Sequence, residues 1–325
     1  MAKCLLALGS NLGDRQARLS GACREIARIP GTKILAKSRW HQTAPIGGPS
    51  GQQPFYNGAV LLQTSLEPCD LAKAIRTIET RLGRHRDVRW DARAIDIDLL
   101  LYDRRVISTS DLSVPHPRMS FRKFVLEPAA EIAGHILHPT SGWILSRLLT
   151  HLCLAPRYVA ITSVESQTAD WLASEISQAF EGFRLESLLD DSLAASSSAP
   201  LEGVQFALRA EAVLRESIWR SHPTLSPRHP ATWVDQGVGQ APVISGFWLD
   251  AVAALHVKKE SFQAEVRPAL VIALVGQDKQ FSRVLQHCAA GPLAKITTNQ
   301  PDTILQESLA AVRSVWPELQ TTPLA

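Results

Sequence analysis

What this chain lacks narrows its chemistry first. Five cysteines (Cys4, Cys23, Cys69, Cys153 and Cys288) are spread over 325 residues, and no two form a CxxC pair. That spacing suggests neither a zinc ribbon nor a redox dithiol, and an odd, scattered set reads as reduced thiols in a cytosolic protein. No stretch approaches the roughly 18 consecutive apolar residues of a membrane span. The apolar run near the start is too short for a secretory leader and meets a polar turn at once. A cytoplasmic location is therefore expected. Neither sign of charge dominates: the formal net charge is +3, which gives no compositional reason to expect a nucleic-acid partner. The pattern GxxxxGK[ST] is absent, so phosphates are not held by a P-loop of that kind. No internal repeat links the two halves.

What is present fits two domains. A chain of 325 residues exceeds the roughly 100–200 residues of one domain, and 45% hydrophobic with 20% charged residues suits a globular protein. In the first half, apolar spacing predicts strands over 3–8, 33–40, 55–64 and 94–102. Helices are expected over 14–28, 68–82, 122–132 and 144–152. A connection rich in Gly, Pro and Gln over 43–54 is long enough to suggest a functional loop. The order β-α-β-β-α-β predicts an α+β domain over 1–155, with helices on one face of a mainly antiparallel sheet. In the second half, strands at 157–164, 268–276 and 294–297 alternate with helical patterns at 168–180, 201–219, 246–255, 278–288 and 301–314. A Ser/Ala-rich loop spans 192–199. This alternation predicts an α/β domain with a parallel sheet over 156–325.

Three clusters in the first half carry chemistry. Asp96 and Asp98 sit at i and i+2 of a predicted strand, so both carboxylates leave the same face. Two like charges beside the apolar run 99–101 are costly unless a cation offsets them, and oxygen ligands of this kind suit Mg²⁺ shared with phosphates. Alone the pair is weak, since a solvated strand face gives the same spacing. Upstream lie Arg81, Arg84, His85, Arg86, Arg89 and Arg93. Arginine makes bidentate phosphate contacts, and acids with arginines together form a phosphoryl-transfer constellation. A basic surface loop is the plainer alternative. The third cluster joins Thr43, Pro45, Ile46 and Gly47 to Phe55, Tyr56 and Asn57. An Asn amide can pair with a heterocycle and aromatic rings can stack on it; by itself the cluster also reads as an ordinary loop and strand.

These residues occur in ordered motifs: LALGSNLGD, TAPIG, FYN, a helix ending LGR, RWxxRxIDIDLLLY and VPHPRMxxRxFVL. Over about residues 3–153 the chain resembles the 6-hydroxymethyl-7,8-dihydropterin pyrophosphokinases. The resemblance implies a ferredoxin-like α+β fold and transfer of diphosphate from ATP to the pterin hydroxymethyl group, in folate synthesis. It implies two Mg²⁺ ions on Asp96 and Asp98, and catalytic roles for Arg84, Arg93 and the loop residue Trp90. It places Thr43, Pro45, Ile46, Phe55, Asn57 and Phe124 around the pterin, and Glu79, Ser113, His116 and Arg122 on the ATP side. The family's usual RWGPR reads Arg89-Trp90-Asp91-Ala92-Arg93 here, and Asp87 and Asp111 stand where some members carry basic residues. A decayed pterin- or nucleotide-binding regulator is the competing expectation.

The second half resembles deoxynucleoside kinases in its opening RYVAITSVESQTADWLASEI and in RPALVIALVG. Its first strand-to-helix turn, 163–168, has neither glycine nor lysine and includes Glu165, whereas close phosphate approach needs both. A kinase-like fold without kinase activity is expected. A homodimer formed through this half is a further expectation.

Overall fold

The computed structural model describes residues 1–46, 51–83, 94–155, 157–163, 166–185, 243–245, 268–275 and 291–319. The chain divides into two compact units, Met1–Thr150 and His151–Ala325.

The first unit opens with β1 (Ala2–Ser10), α1 (Arg15–Ala27), β2 (Thr32–Lys37), β3 (His41–Thr43), β4 (Phe55–Thr64), α2 (Pro68–Arg81) and β5 (Asp96–Tyr102). The Asp14 carboxylate accepts the Ala17 N–H at 3.0 Å and caps α1. Proline at the first position of α2 costs no hydrogen bond. The strand order is β2-β4-β1-β5, with β3 also on β4, and all of these pairings are antiparallel. Further on come β6 (Ile107–Ser108), β7 (Ser113–Val114), a 3₁₀ turn (Met119–Phe121) and α3 (Lys123–Ala133), and α4 (Leu145–Leu154) runs across the boundary at Thr150.

Helices cover both faces of this sheet, which corrects the expected single layer. Cys4, Leu6 and Leu8 of β1 share one core with Leu19 and Ile26 of α1 and Leu71, Ile75 and Ile78 of α2. The intervening Leu5 is also only 1% exposed and, by the strand's alternation, points to the other face. There α3 packs on β4, β1 and β3, and its buried Val125, Leu126, Ala129 and Ala133 take no part in the first core. The apolar run 4–8 is thus a strand buried on both sides, and such strands read as unbroken rather than alternating.

The expected strand 33–40 stops at Lys37 and resumes as β3. Between them the Ser38 hydroxyl accepts the Ala59 N–H at 2.8 Å, and Trp40 lies over Gly58, where any Cβ would overlap its ring.

The second unit has β8 (Tyr158–Ser163), α5 (Ser166–Ala179), β9 (Phe183–Leu185), β10 (Val243–Ser245), β11 (Leu270–Leu274), β12 (Leu293–Ile296) and α6 (Pro301–Val315). Its sheet runs β12-β11-β8-β10-β9, and every pairing is parallel, as the alternation predicted. β11 is buried at all five positions, the signature of a strand covered on both faces. On the edge strand β12, burial lowers the Lys295 pKa, and an edge lysine discourages pairing with another chain. The three-residue strands β9 and β10 are too short to show periodicity. The expected loop 192–199 and helices 201–219, 246–255 and 278–288 lie outside the described residues. Among the described residues no helix is long and apolar enough to cross a membrane.

Candidate active site

One row of residues across three strands organises the site. Asn57 of β4 stands opposite Gly9 of β1, and Gly9 stands opposite Asp96 of β5. Directly opposed residues present their side chains on the same face. A Cβ placed on Gly9 would lie 3.0 Å from Asn57 Oδ1 and 4.0 Å from Phe55 Cδ1. The missing side chain therefore leaves a gap between the Asn57 amide and the Asp96 carboxylate. Two interstrand spacings put their backbones about 10 Å apart. Asp98, next on the same face, stands opposite Ala7, so small residues line β1 beneath both acids.

On the Asn57 side, the amide Nδ2 donates to Thr43 Oγ1 at 2.7 Å, and Thr43 pairs with Phe55. Asn57 is only 8% exposed. With one N–H held by Thr43, its carbonyl and second N–H can face a heterocycle edge. The short strand carrying Thr43 is tied to α3: Glu131 accepts from His41 Nε2 at 3.0 Å and from the Arg39 backbone N–H at 3.2 Å. These bonds, His41's first, hold the Glu131 carboxyl below its usual pKa. Pro45 and Ile46 follow β3 and are partly buried. Phe124 opens α3, with the Arg122 guanidinium 5.4 Å from its ring centroid.

On the Asp98 side, His116 Nε2 lies 3.7 Å from Asp98 Oδ2. His116 Nδ1 accepts the Arg118 N–H at 3.3 Å, which leaves the ring proton on Nε2, toward the carboxylate. Burial pushes the His116 pKa down, Asp98 partly offsets this, and Arg122 and Arg118 add to the lowering. Ser113 is exposed on β7, opposite Ser108. Glu79 does not face outward from α2: it is 2% exposed, and its Oε1 accepts the Ile97 N–H at 2.8 Å.

The structure thus joins Asn57, Thr43 and Phe55, joins Asp98 to His116, sets Arg122 beside Phe124, and joins Glu79 to the strand bearing both acids. Arg84, Trp90 and Arg93 lie outside the described residues. No three His, Cys, Asp or Glu gather into a metal cage among the described residues. Two strand carboxylates without such a cage suit Mg²⁺, which keeps waters and takes phosphate oxygens, rather than a closed zinc site.

Sequence reading missed Gly9 as a site residue. A glycine inside a strand was the available signal, since it often marks a close approach. It also missed the links that carry the loop after β3: Asn11 Nδ2 donates to Gln52 Oε1 at 3.1 Å, and Arg15 donates to the Pro54 carbonyl at 2.6 Å while lying over Tyr56. Such long-range side-chain pairs leave no periodic trace.

Comparison with known proteins covers the first unit. The family described as 7,8-dihydro-6-hydroxymethylpterin-pyrophosphokinase (HPPK) matches residues 5–134. The 2-amino-4-hydroxy-6-hydroxymethyldihydropteridine pyrophosphokinase of Methylorubrum extorquens is 43% identical over 137 residues, which is 42% of this chain and 86% of that protein. Its namesake from Synechocystis is 37% identical over 145 residues, 45% of this chain and 73% of that protein. A solved HPPK-DHPS of Plasmodium falciparum, crystallised with pteroate, aligns at 13% identity and a TM-score of 0.38 over 54% of this chain and 53% of that one, too distant to carry an argument. The extent and identity of the sequence matches show that the chain belongs to the HPPK family.

Proposed function

We propose that the first unit transfers a diphosphate from ATP to 6-hydroxymethyl-7,8-dihydropterin, as a transferase of folate biosynthesis. The observation that carries this reading is the row Asn57–Gly9–Asp96, which sets a heterocycle-pairing amide and a phosphate-side carboxylate along one strand register. The pterin hydroxymethyl oxygen attacks the β-phosphorus of ATP in line, the bond from that phosphorus to the α–β bridging oxygen breaks, AMP leaves with that oxygen, and the hydroxyl proton passes to solvent. Asn57, oriented by Thr43, pairs with the pterin edge, while Phe55, Phe124, Pro45 and Ile46 enclose its ring. Asp96 and Asp98 would hold two Mg²⁺ ions, which when bound would neutralise phosphate charge. Arg84 and Arg93 contact phosphate oxygens, and Trp90 helps exclude water. His116, Arg122 and Ser113 serve the ATP side. Positioning and charge neutralisation account for most of the rate in reactions of this type.

The strand order of the first unit supports a ferredoxin-like description. For the second unit, numbering its described strands in chain order gives 2-3-1-4-5, which supports the kinase-like reading, and the turn 163–168 without glycine or lysine supports a non-catalytic role. A homodimer through this unit belongs to the same reading; a chain ending at Ala155 that keeps the activity and the oligomeric state of the full chain would remove that role. The central test is AMP release from MgATP with the pterin, by wild type and Asp98→Ala. Pterin-dependent AMP that vanishes in the variant is expected. No AMP from folded wild type would overturn the transferase.

A further inference from the structure

We infer that Glu79 is a positioning residue for the Asp96/Asp98 pair, acting through the backbone of β5 and not by touching ATP or metal; this rests on the proposed metal-binding role of the pair.

Glu79 occupies a core position. It continues the buried face of α2 formed by Leu71, Ala72, Ile75 and Ile78. It is the one carboxylate among the described buried residues. A leucine there would suit the packing, and a buried carboxylate is costly unless strongly hydrogen-bonded. Its carboxylate accepts the N–H of Ile97, the residue between the two acids.

β5 ends the sheet, with β1 as its neighbour in the strand order. The Ile97 N–H points away from β1, to the outer edge, and buried N–H groups need an acceptor. Glu79 supplies one with a charge-assisted bond. Ile97 itself is in the α1–α2 core, so its side chain and its N–H are both anchored on the helix side. That double anchor fixes the strand's rotation, and with it the direction of the carboxylates that flank Ile97 on the opposite face. Groups that orient metal ligands in this way typically contribute about 10–100-fold to metal affinity.

The test uses the full chain and Mn²⁺ with α,β-methylene ATP, read as free Mn²⁺ by electron paramagnetic resonance. Glu79→Leu removes the acceptor and should weaken Mn²⁺–nucleotide binding about 10–100-fold, with circular dichroism unchanged. Glu79→Gln keeps a carbonyl acceptor and should recover most of that loss. Binding by Glu79→Leu equal to wild type would overturn the inference. So would Glu79→Gln as weak as Glu79→Leu, because the charge and not the acceptor would then matter. Asp98→Asn separates the two readings: if it binds like wild type, the metal-binding role of the pair fails; if it is weak while Glu79→Leu is not, only the positioning role fails. Should Glu79→Leu not fold, amide exchange on the wild type decides. A protected Ile97 N–H is expected, and exchange at the rate of an open edge amide overturns the inference.

Discussion

In each unit the first strand is apolar and turns into a helix, and the two strands sit in different kinds of sheet. In the first, β1 ends at Gly9 and Ser10 inside an antiparallel sheet, so its neighbours in the row come from β4 and β5, distant in sequence. In the second, β8 ends at Ser163 in a parallel sheet, where all strands finish along one edge and a ligand would meet loops and helix starts. An antiparallel row builds a site from side chains on strands. A parallel edge builds one from turns, and this turn lacks the residues that phosphate needs. The comparison teaches that strand register gathers the candidate site residues of the first unit, whereas in the second unit any site of this kind would depend on its turns.

Several measurements break or sharpen that contrast. The largest effect belongs to the carboxylates: Asp98→Ala should lower pterin-dependent AMP release by about 10³-fold, whereas Ser163→Ala, at the end of β8, should leave it unchanged. Loss of activity in the serine variant would erase the distinction between the units.

Acid should separate the two in stability. His138 is 4% exposed; its Nδ1 accepts the Ser141 N–H at 3.1 Å, and burial pushes its pKa down to about 4. In the unfolded chain a histidine titrates near 6.5. The unfolded state therefore takes up the proton first, and stability is full above about pH 6.5 and falls as pH drops toward 4. The loss is on the order of 3 kcal/mol. Thermal melts over that range should show the first unit's transition moving down, with the slope reduced in His138→Asn. An unchanged slope would remove the buried imidazole as the cause.

Gly9→Ala should act on one substrate. The added Cβ crowds Asn57 Oδ1, and losing one hydrogen bond to the pterin costs about 1 kcal/mol, so the KM for pterin should rise about 5- to 10-fold while that for ATP changes little. Equal changes in both would indicate that the whole row has moved. The smallest effect lies in the second sheet. Thr162 is buried and its hydroxyl has no hydrogen-bond partner among the described residues, so Thr162→Val should raise that unit's stability by about 1 kcal/mol, visible in its melting transition.

The long elements were legible in the sequence because each has a strong periodic or continuous apolar pattern: α1, β4, α2 and α6 begin and end within two residues of expectation. The unbroken run 4–8 is consistent with two-sided burial of β1, but nothing in it names α3 as the element that covers the second face. The acids at 96 and 98 were visible through the i, i+2 rule, and the register opposite Gly9 and Ala7 was not, because pairing between distant strands has no local signal. Glu79 illustrates the same limit. The motif match names it beside the ATP-side residues, and its depth in the core and its bond to Ile97 become apparent only when α2 is laid against β5.

The outer edge of β5 has a further consequence for how the chain behaves in a crowded solution. A strand reading DIDLLLY at the end of a sheet is a template for another chain to pair with. Here Glu79 takes up the Ile97 N–H and the His116 N–H takes up the Leu100 carbonyl at 2.9 Å. The groups gathered around the site thus also act as gatekeepers against self-association. Variants that disturb them should lose solubility as well as activity, which ties the survival of the chemistry to the monodispersity of the protein that carries it.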